Sequence, residues 1–119
     1  MEKRYLTVSA LKRYLKAKID SDEQLQKILI KGEVSNFKHL SSGHLYFTLK
    51  DETSRINAVM FASKARKLPF ELENGMKVLI QASVSVYDVA GTYQLYVDNI
   101  EQDGLGNLYL RYEQLKKAL

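Results

Sequence analysis

Residues 27–37 (KILIKGEVSNF) decide the fold class, because apolar and polar side chains begin to alternate in this stretch. Alternation with a period of two is typical of a strand that buries one face. Gly32 interrupts the stretch and indicates a bulge or bend at that point. Since one bent strand can join both halves of a small barrel, residues 27–37 are predicted to form a long, curved first strand.

Four further segments alternate in the same way and predict four more strands. They cover residues 44–50, 55–61, 76–87 and 92–101, and polar or glycine-containing turns separate them. One face of each strand is apolar, and we expect these faces to build the core. The predicted inward residues are Leu45, Phe47 and Leu49, then Ile56, Ala58 and Met60, then Val78, Ile80, Ala82, Val84 and Val86, and finally Tyr93, Leu95 and Val97.

Helical spacing of apolar residues occurs at both ends of the chain. A helix over 9–19 is predicted by Val8, Leu11, Leu15 and Ile19. Either Thr7 or Ser9 can supply its N-cap. Strong helix formers before a proline predict a short helix over 62–68. Residues 107–119 resume helical spacing without a C-cap, so we expect the chain to continue in a longer protein.

The order helix, three strands, short helix, two strands, helix is that of an OB-fold, a five-stranded Greek-key barrel. We therefore predict a mainly β protein with flanking helices. Its predicted parts are an N-terminal helical extension over 1–26, the OB-fold domain over 27–103, and the start of a linker or helix over 104–119.

The composition excludes several classes of protein. The 119 residues are 45% hydrophobic and 27% charged, as in ordinary globular domains. Cysteine is absent, which excludes disulfides, Cys-ligated zinc, iron–sulfur clusters and thiol catalysis in this stretch. No apolar run approaches the ~20 residues that a membrane helix needs. We expect a cytoplasmic domain without a membrane partner.

The net charge of +4 is unevenly distributed. Residues 1–19 carry six bases and one acid, whereas residues 81–103 carry four acids and no base. A basic segment on a weakly basic domain fits a polyanionic partner, although lysine-rich helix faces are often only solvated. Charge alone therefore leaves nucleic-acid binding open.

No catalytic or metal-binding set is recognisable in the sequence. The two histidines, His39 and His44, lack the i, i+4 helical spacing of a zincin motif. Gly104 and Gly106 lack the long glycine pattern and the lysine of a phosphate loop. We predict no catalytic residue, no metal and no cofactor within these 119 residues.

The outward-facing side chains of strands two and three are the feature of the sequence that indicates a binding function. OB-folds bind oligonucleotides across this face and with the loops that join strands one to two and four to five. Aromatic rings there stack on unpaired bases, and cations track the phosphates. The candidate binding residues are Phe37, Lys38, His39, His44, Tyr46, Lys50, Arg55, Phe61 and Arg66.

Structural roles are the alternatives for most of these residues. Tyr46 or Phe61 could cap the barrel beneath the first helix, and Arg66 could lie on a solvated helix face. Lys50 and Arg55 could be cross-strand partners of Glu33 or Asp51. His44 could be an ordinary exposed strand residue. The pattern does not decide between these roles.

Residues 32–51 (GEVSNFKHLSSGHLYFTLKD) and 58–61 (AVMF) closely resemble the N-terminal region of the exodeoxyribonuclease VII large subunit family. Segments 74–78 (NGMKV) and 91–95 (GTYQL) continue the resemblance. It implies an OB-fold that guides single-stranded DNA to a nuclease, which hydrolyses the strand from either end into oligonucleotides. It also implies that the catalytic domain and the attachment of the small subunit lie outside this chain, so these residues do not indicate whether the parent enzyme needs a metal.

One departure from that family concerns the loop 88–91 (DVAG), which is acidic where family members often carry a basic residue. Tyr87 is therefore predicted as the DNA contact at this loop.

Two other functions stay open. An oligomerisation or docking role, including a homodimer, would use Val8, Leu11 and Leu15, whereas a nuclease activity of these residues alone rests on no identifiable catalytic set.

Overall fold

The computed structural model describes residues 5–87 and 91–104. The predicted helix over 107–119 and most of the loop 88–91 lie outside these ranges. The elements in chain order are α1 (Val8–Ser21), α2 (Glu23–Gln26), β1 (Ile28–His39), β2 (Leu45–Lys50), β3 (Arg55–Met60), α3 (Ala62–Ala65), β4 (Lys77–Tyr87) and β5 (Thr92–Gln102).

The five strands form a closed barrel in the order β1-β2-β3-β5-β4. All neighbouring strands are antiparallel except β3 and β5, which close the barrel through a short parallel ladder. β1 pairs with β4 through its first half and with β2 through its second half, and Glu33 belongs to both ladders. This arrangement confirms the predicted OB-fold.

Gly32 lies where β1 changes partners. A Cβ atom at this position would be 2.8 Å from Cγ of Leu49 and 2.9 Å from the backbone oxygen of Lys50. The residue therefore permits a close approach of β1 to β2. The bulge itself lies further along the strand, between Ser35 and Lys38, where Asn36 has a φ of 50°.

The core fills the barrel with the inward faces of all five strands. Its buried members are Val34, Leu45, Phe47, Leu49, Ala58, Met60, Leu72, Val78, Ile80, Ala82, Leu95, Val97 and Ile100. The predicted inward position of Tyr93 is wrong, since this side chain is 61% exposed on the part of the β4–β5 hairpin that extends beyond the barrel. Ile100 is buried because a bulge opposite Gln81 and Ala82 shifts the register of β5 by one residue.

The helices lie outside this core. Thr7 is the N-cap of α1, and its Oγ1 accepts a hydrogen bond of 3.0 Å from the amide of Ala10. The carboxylate of Asp20 accepts a hydrogen bond of 2.8 Å from Ser85 Oγ, which attaches α1 to β4. This bond, helped by Lys16, lowers the pKa of Asp20. Across the described residues, no helix combines the length and apolarity needed to cross a bilayer.

The predicted bounds of α3 and β1 are wrong, and those of the other elements differ from the structure by one or two residues. α3 is shorter than the predicted 62–68 and continues only as turns, in which the amide of Leu68 bonds to the oxygen of Ala65 at 3.1 Å. β1 extends to His39 instead of ending at Phe37, because the ladder with β2 resumes after the bulge.

Replacing Gly32 with Ala tests the close approach of β1 to β2. We expect the free energy of unfolding to fall by about 1–3 kcal/mol, the usual cost of overpacking. Urea denaturation measures this loss. The control is Gly104→Ala, because nothing lies within 4 Å of a Cβ there. Equal denaturation midpoints for the two variants would contradict the proposed contact.

Candidate nucleic-acid interface

A concave surface lies on the outer face of β2, β3 and β5. Tyr46 pairs with Val59, and Val59 pairs with Tyr96, so these side chains form one row across three strands. The surrounding hollow has a volume of 470 Å³, within the range of about 300–1,000 Å³ that is usual for small-ligand sites. We call it the aromatic groove, and it is lined by Tyr46, Asn57, Val59, Phe61, Tyr87, Thr92, Gln94 and Tyr96.

The rings of the groove contact one another and remain accessible. Phe61 stacks on Tyr96 with ring centroids 6.0 Å apart, and its other neighbour is His44, edge-on at 5.4 Å. Tyr46, Phe61 and Tyr87 are 37%, 43% and 48% exposed. α1 contacts β4 and leaves Tyr46 and Phe61 uncovered, so the capping alternative for these two rings is wrong. Exposed rings in fixed positions provide a surface for stacking.

His44 is a half-buried positioning residue instead of an ordinary exposed strand residue. Its Nδ1 accepts a hydrogen bond of 2.9 Å from the amide of Ala62, the first residue of α3. With Nδ1 as the acceptor, Nε2 carries the hydrogen of the neutral ring. His44 therefore links the start of β2 to α3 and holds its ring against Phe61.

Lys38 and Arg55 lie at the margins of the groove. Lys38 pairs with Tyr46 and consequently shares its face. Arg55 lines an adjoining cleft of 620 Å³ with Thr92, which also lines the groove, and with Tyr93. Within residues 5–87 and 91–104, Arg55 forms no ion pair with Glu33, Asp51 or any other acid. The guanidinium charge of Arg55 is thus available to a ligand.

Lys50 has a structural partner. Its ammonium lies 3.3 Å from Oε2 of Glu33, whose Oε1 lies 3.0 Å from the ammonium of Lys77. The hydrogen bond from Lys77, followed by that from Lys50, lowers the pKa of Glu33. The alternative of a cross-strand ion pair is therefore confirmed for Lys50.

The other predicted residues lie away from the aromatic groove. Phe37 is half-buried and packs against the core, while its amide donates to Oδ1 of Asn74 at 2.9 Å. His39 pairs with Leu45, and Arg66 Nε donates to the oxygen of Ala62 at 3.2 Å. These three residues line a separate hollow of 370 Å³, which we call the α3 pocket. Its other members are Gly43, Leu45, Ala65, Leu68, Phe70, Glu71 and Leu72.

Sequence reasoning missed the contribution of β5 to the groove. Tyr96, Gln94 and Thr92 share the outer face of β5, because they alternate with the buried Leu95. That alternation could have identified them as outward residues. Only the parallel ladder between β3 and β5, which no local pattern shows, places them beside Asn57 and Val59.

α1 adds positive charge near the tip of the β4–β5 hairpin. A Cβ atom at Gly91 would lie 3.9 Å from both Cε and Nζ of Lys12. Gly91 also lines the cleft that holds Arg55. A cation from the N-terminal segment consequently lies near the cleft that Arg55 lines.

The fold and the exposed aromatic face together define a class of nucleic-acid-binding barrel. The family described as OB-fold nucleic acid binding domain matches residues 6–101, and the chain belongs to this family. The chain is also 58% identical over 119 residues to the exodeoxyribonuclease 7 large subunits of Bacillus mycoides (strain KBAB4) and Bacillus anthracis (strain A0248). It spans only 26% of the length of these relatives.

Solved structures with low sequence identity share the fold. A replication protein A heterotrimer bound to ssDNA has a TM-score of 0.54 at 14% identity, with 76% of this chain and 69% of that chain covered. Asparaginyl-tRNA synthetase from Pyrococcus horikoshii has a TM-score of 0.51 at 19% identity, with 66% of this chain and 20% of that chain covered. At such identities the likeness supports the barrel architecture.

The Glu33 ion pairs predict a pH-dependent stability. Because the folded-state pKa of Glu33 is below its ordinary value of 4.5, its contribution is present above that pH and is lost as the pH falls through the folded-state pKa. We expect Glu33→Gln to lower the free energy of unfolding at pH 7 by at most about 1 kcal/mol, as for partly exposed pairs, and to have a smaller effect at pH 3. Urea denaturation at both pH values, with Glu52→Gln as the control, measures the difference. A loss that persists unchanged at pH 3 would contradict this account.

Proposed function

We propose that this chain binds single-stranded DNA as part of an exodeoxyribonuclease VII large subunit. The row of accessible rings in the aromatic groove is the observation that carries the proposal. The 58% identity to large subunits named exodeoxyribonuclease 7 supports the nuclease context. In that context the barrel binds and guides the strand, while the remainder of the enzyme cuts it.

The geometry favours a single strand over a duplex. Unpaired bases can leave their own stack and lie on Tyr46, Phe61 and Tyr96, at about 1–3 kcal/mol per stacked base. Bases of a duplex are already stacked on their neighbours and do not present their faces to a protein surface. Stacking accepts any base, so the groove itself has little sequence preference.

Phosphates would lie along the margins of the groove. Lys38 is available on the β1 side, and Arg55 is available in the cleft beside the β4–β5 hairpin. Lys12 adds a third cation near Gly91. Cations on both margins of the ring row match a strand whose bases face the barrel and whose backbone faces solvent.

The activity proposed for the whole protein is hydrolysis of single-stranded DNA from either end into oligonucleotides, in the cytoplasm. In this proposal the catalytic residues and the contacts with the small subunit lie in the rest of the protein, since the chain spans only 26% of the length of its relatives. We assign no catalytic residue and no cofactor to these 119 residues.

A docking or homodimer role is the second candidate. The observation that favours it is the apolar surface of α1, where Val8, Leu11 and Leu15 are all exposed. Light scattering separates the two proposals, because a docking surface of this kind would give a dimer without salt-dependent DNA binding.

Tyr46→Ala tests the aromatic groove. We expect roughly a tenfold weaker affinity for oligo-dT, since one stacking contact is lost, and little change in stability. A titration of fluorescent oligo-dT at several salt concentrations, with the matching duplex alongside, measures the effect. Tyr14→Ala is the matched control, because Tyr14 is an exposed tyrosine of α1 outside the groove. Equal losses for both variants would contradict the assignment of the binding face.

Arg55→Ala and Lys50→Ala form a second matched pair. Arg55 is available to a phosphate, whereas Lys50 is held by Glu33. We expect Arg55→Ala to reduce the slope of log affinity against log salt by about 0.7, the value for one phosphate on a single strand. Lys50→Ala should change the slope less. The reverse order would show that the strand follows the Glu33 side of the barrel.

A further inference from the structure

The α3 pocket has the form of a second binding site, and it shares no lining residue with the aromatic groove. Its floor consists of Leu45 and Leu72, which are buried in the core. Its walls include the half-buried rings of Phe37 and Phe70. The volume of 370 Å³ is within the range of about 300–1,000 Å³ that is usual for small-ligand sites.

The rim of the pocket is polar. His39, Arg66 and Glu71 are exposed and surround the apolar interior. The Glu71 carboxylate can only accept hydrogen bonds, while the Arg66 guanidinium can only donate them. An apolar slot with donors and an acceptor at its mouth is complementary to a flat ring whose polar groups lie on its edge. A nucleobase has this chemistry, and the phosphate attached to it suits Arg66.

The pocket begins where the row of rings ends. Gly43 lines the pocket, and the next residue, His44, contacts Phe61 with ring centroids 5.4 Å apart. Gly43 has a φ of 94°, and a Cβ on it would lie 3.0 Å from Cβ of Ala62. The β1–β2 turn therefore lies directly against α3. A DNA strand that passes from the rings over His44 therefore reaches the pocket at the adjacent residue, Gly43.

We propose that the α3 pocket takes one unstacked base of the bound strand, and that Glu71 accepts a hydrogen bond from the amino group of that base. This inference rests on the proposed function, because the groove delivers the strand. Cytosine offers an N4 amino donor to a carboxylate, whereas thymine offers only the O4 acceptor at the same place. The pocket consequently adds a preference for cytosine over thymine at one position of an otherwise unselective strand.

The direct test uses the 119-residue chain labelled with ¹⁵N and titrated with deoxycytidine or thymidine 5′-monophosphate. We expect the amide signals of Gly43, Ala65 and Leu72 to shift, with affinity for the cytosine nucleotide about fivefold higher, the effect of one net hydrogen bond. Glu71→Gln should remove most of this difference. Glu73→Gln is the matched control, since Glu73 is exposed on the same segment and does not line the pocket.

Oligonucleotides separate this inference from the proposed function. If Tyr46→Ala weakens the binding of oligo-dT and oligo-dC equally, the result supports the groove. If Glu71→Gln removes a preference for oligo-dC over oligo-dT, the result supports the pocket. Equal affinities for the two oligonucleotides, together with unshifted pocket signals, would overturn the pocket and leave the groove intact. Mononucleotides could shift the amide signals of the pocket residues while Tyr46→Ala leaves the affinity for oligonucleotides unchanged. That result would support the pocket and overturn the groove.

Discussion

The division of β1 between two partner strands is the constraint on which the rest of the structure depends. The first half of β1 pairs with β4 and the second half with β2, and Gly32 allows the close approach at the change of partner. Closure by β3 and β5 then leaves the five strands without an open edge. The same closure brings Tyr46, Val59 and Tyr96 into one row, so the geometry that seals the core also builds the proposed DNA surface.

The charged residues around the barrel divide into those that stabilise it and those that remain available. Glu33 uses the charges of Lys50 and Lys77 to join three strands near the partner change of β1. Lys38 and Arg55 lie beside the rings instead, and neither belongs to an ion pair among residues 5–87 and 91–104. A count of the basic residues on the strands therefore overestimates the number available to DNA, because some of them are held in ion pairs that stabilise the barrel.

Much of the fold could be predicted from alternation, because a regular ladder keeps every second side chain on one face. Alternation assigns side chains to the wrong face where a bulge adds a residue to one strand. The bulge at Asn36 turns Phe37 toward the core and puts Lys38 opposite Tyr46, and the bulge in β5 buries Ile100. Tyr96 was missed for another reason, since its neighbours on β3 come from a pairing between distant segments. The rings of β2 and β3 could be predicted from local pattern, whereas the α3 pocket depends on how a turn and a helix meet in space.

The divided pairing of β1 also has a consequence for the order in which the barrel assembles. β1, β2 and β3 are consecutive and joined by short turns, so their pairing requires little loop closure. The β1–β4 and β3–β5 ladders join segments far apart in sequence, and such contacts form slowly. The meander that carries Tyr46 and Phe61 can thus form early, and completion of the fold waits for β4 and β5. We expect these long-range ladders to limit the rate of folding, so substitutions within the β4–β5 hairpin should change the rate of barrel closure as well as the finished surface.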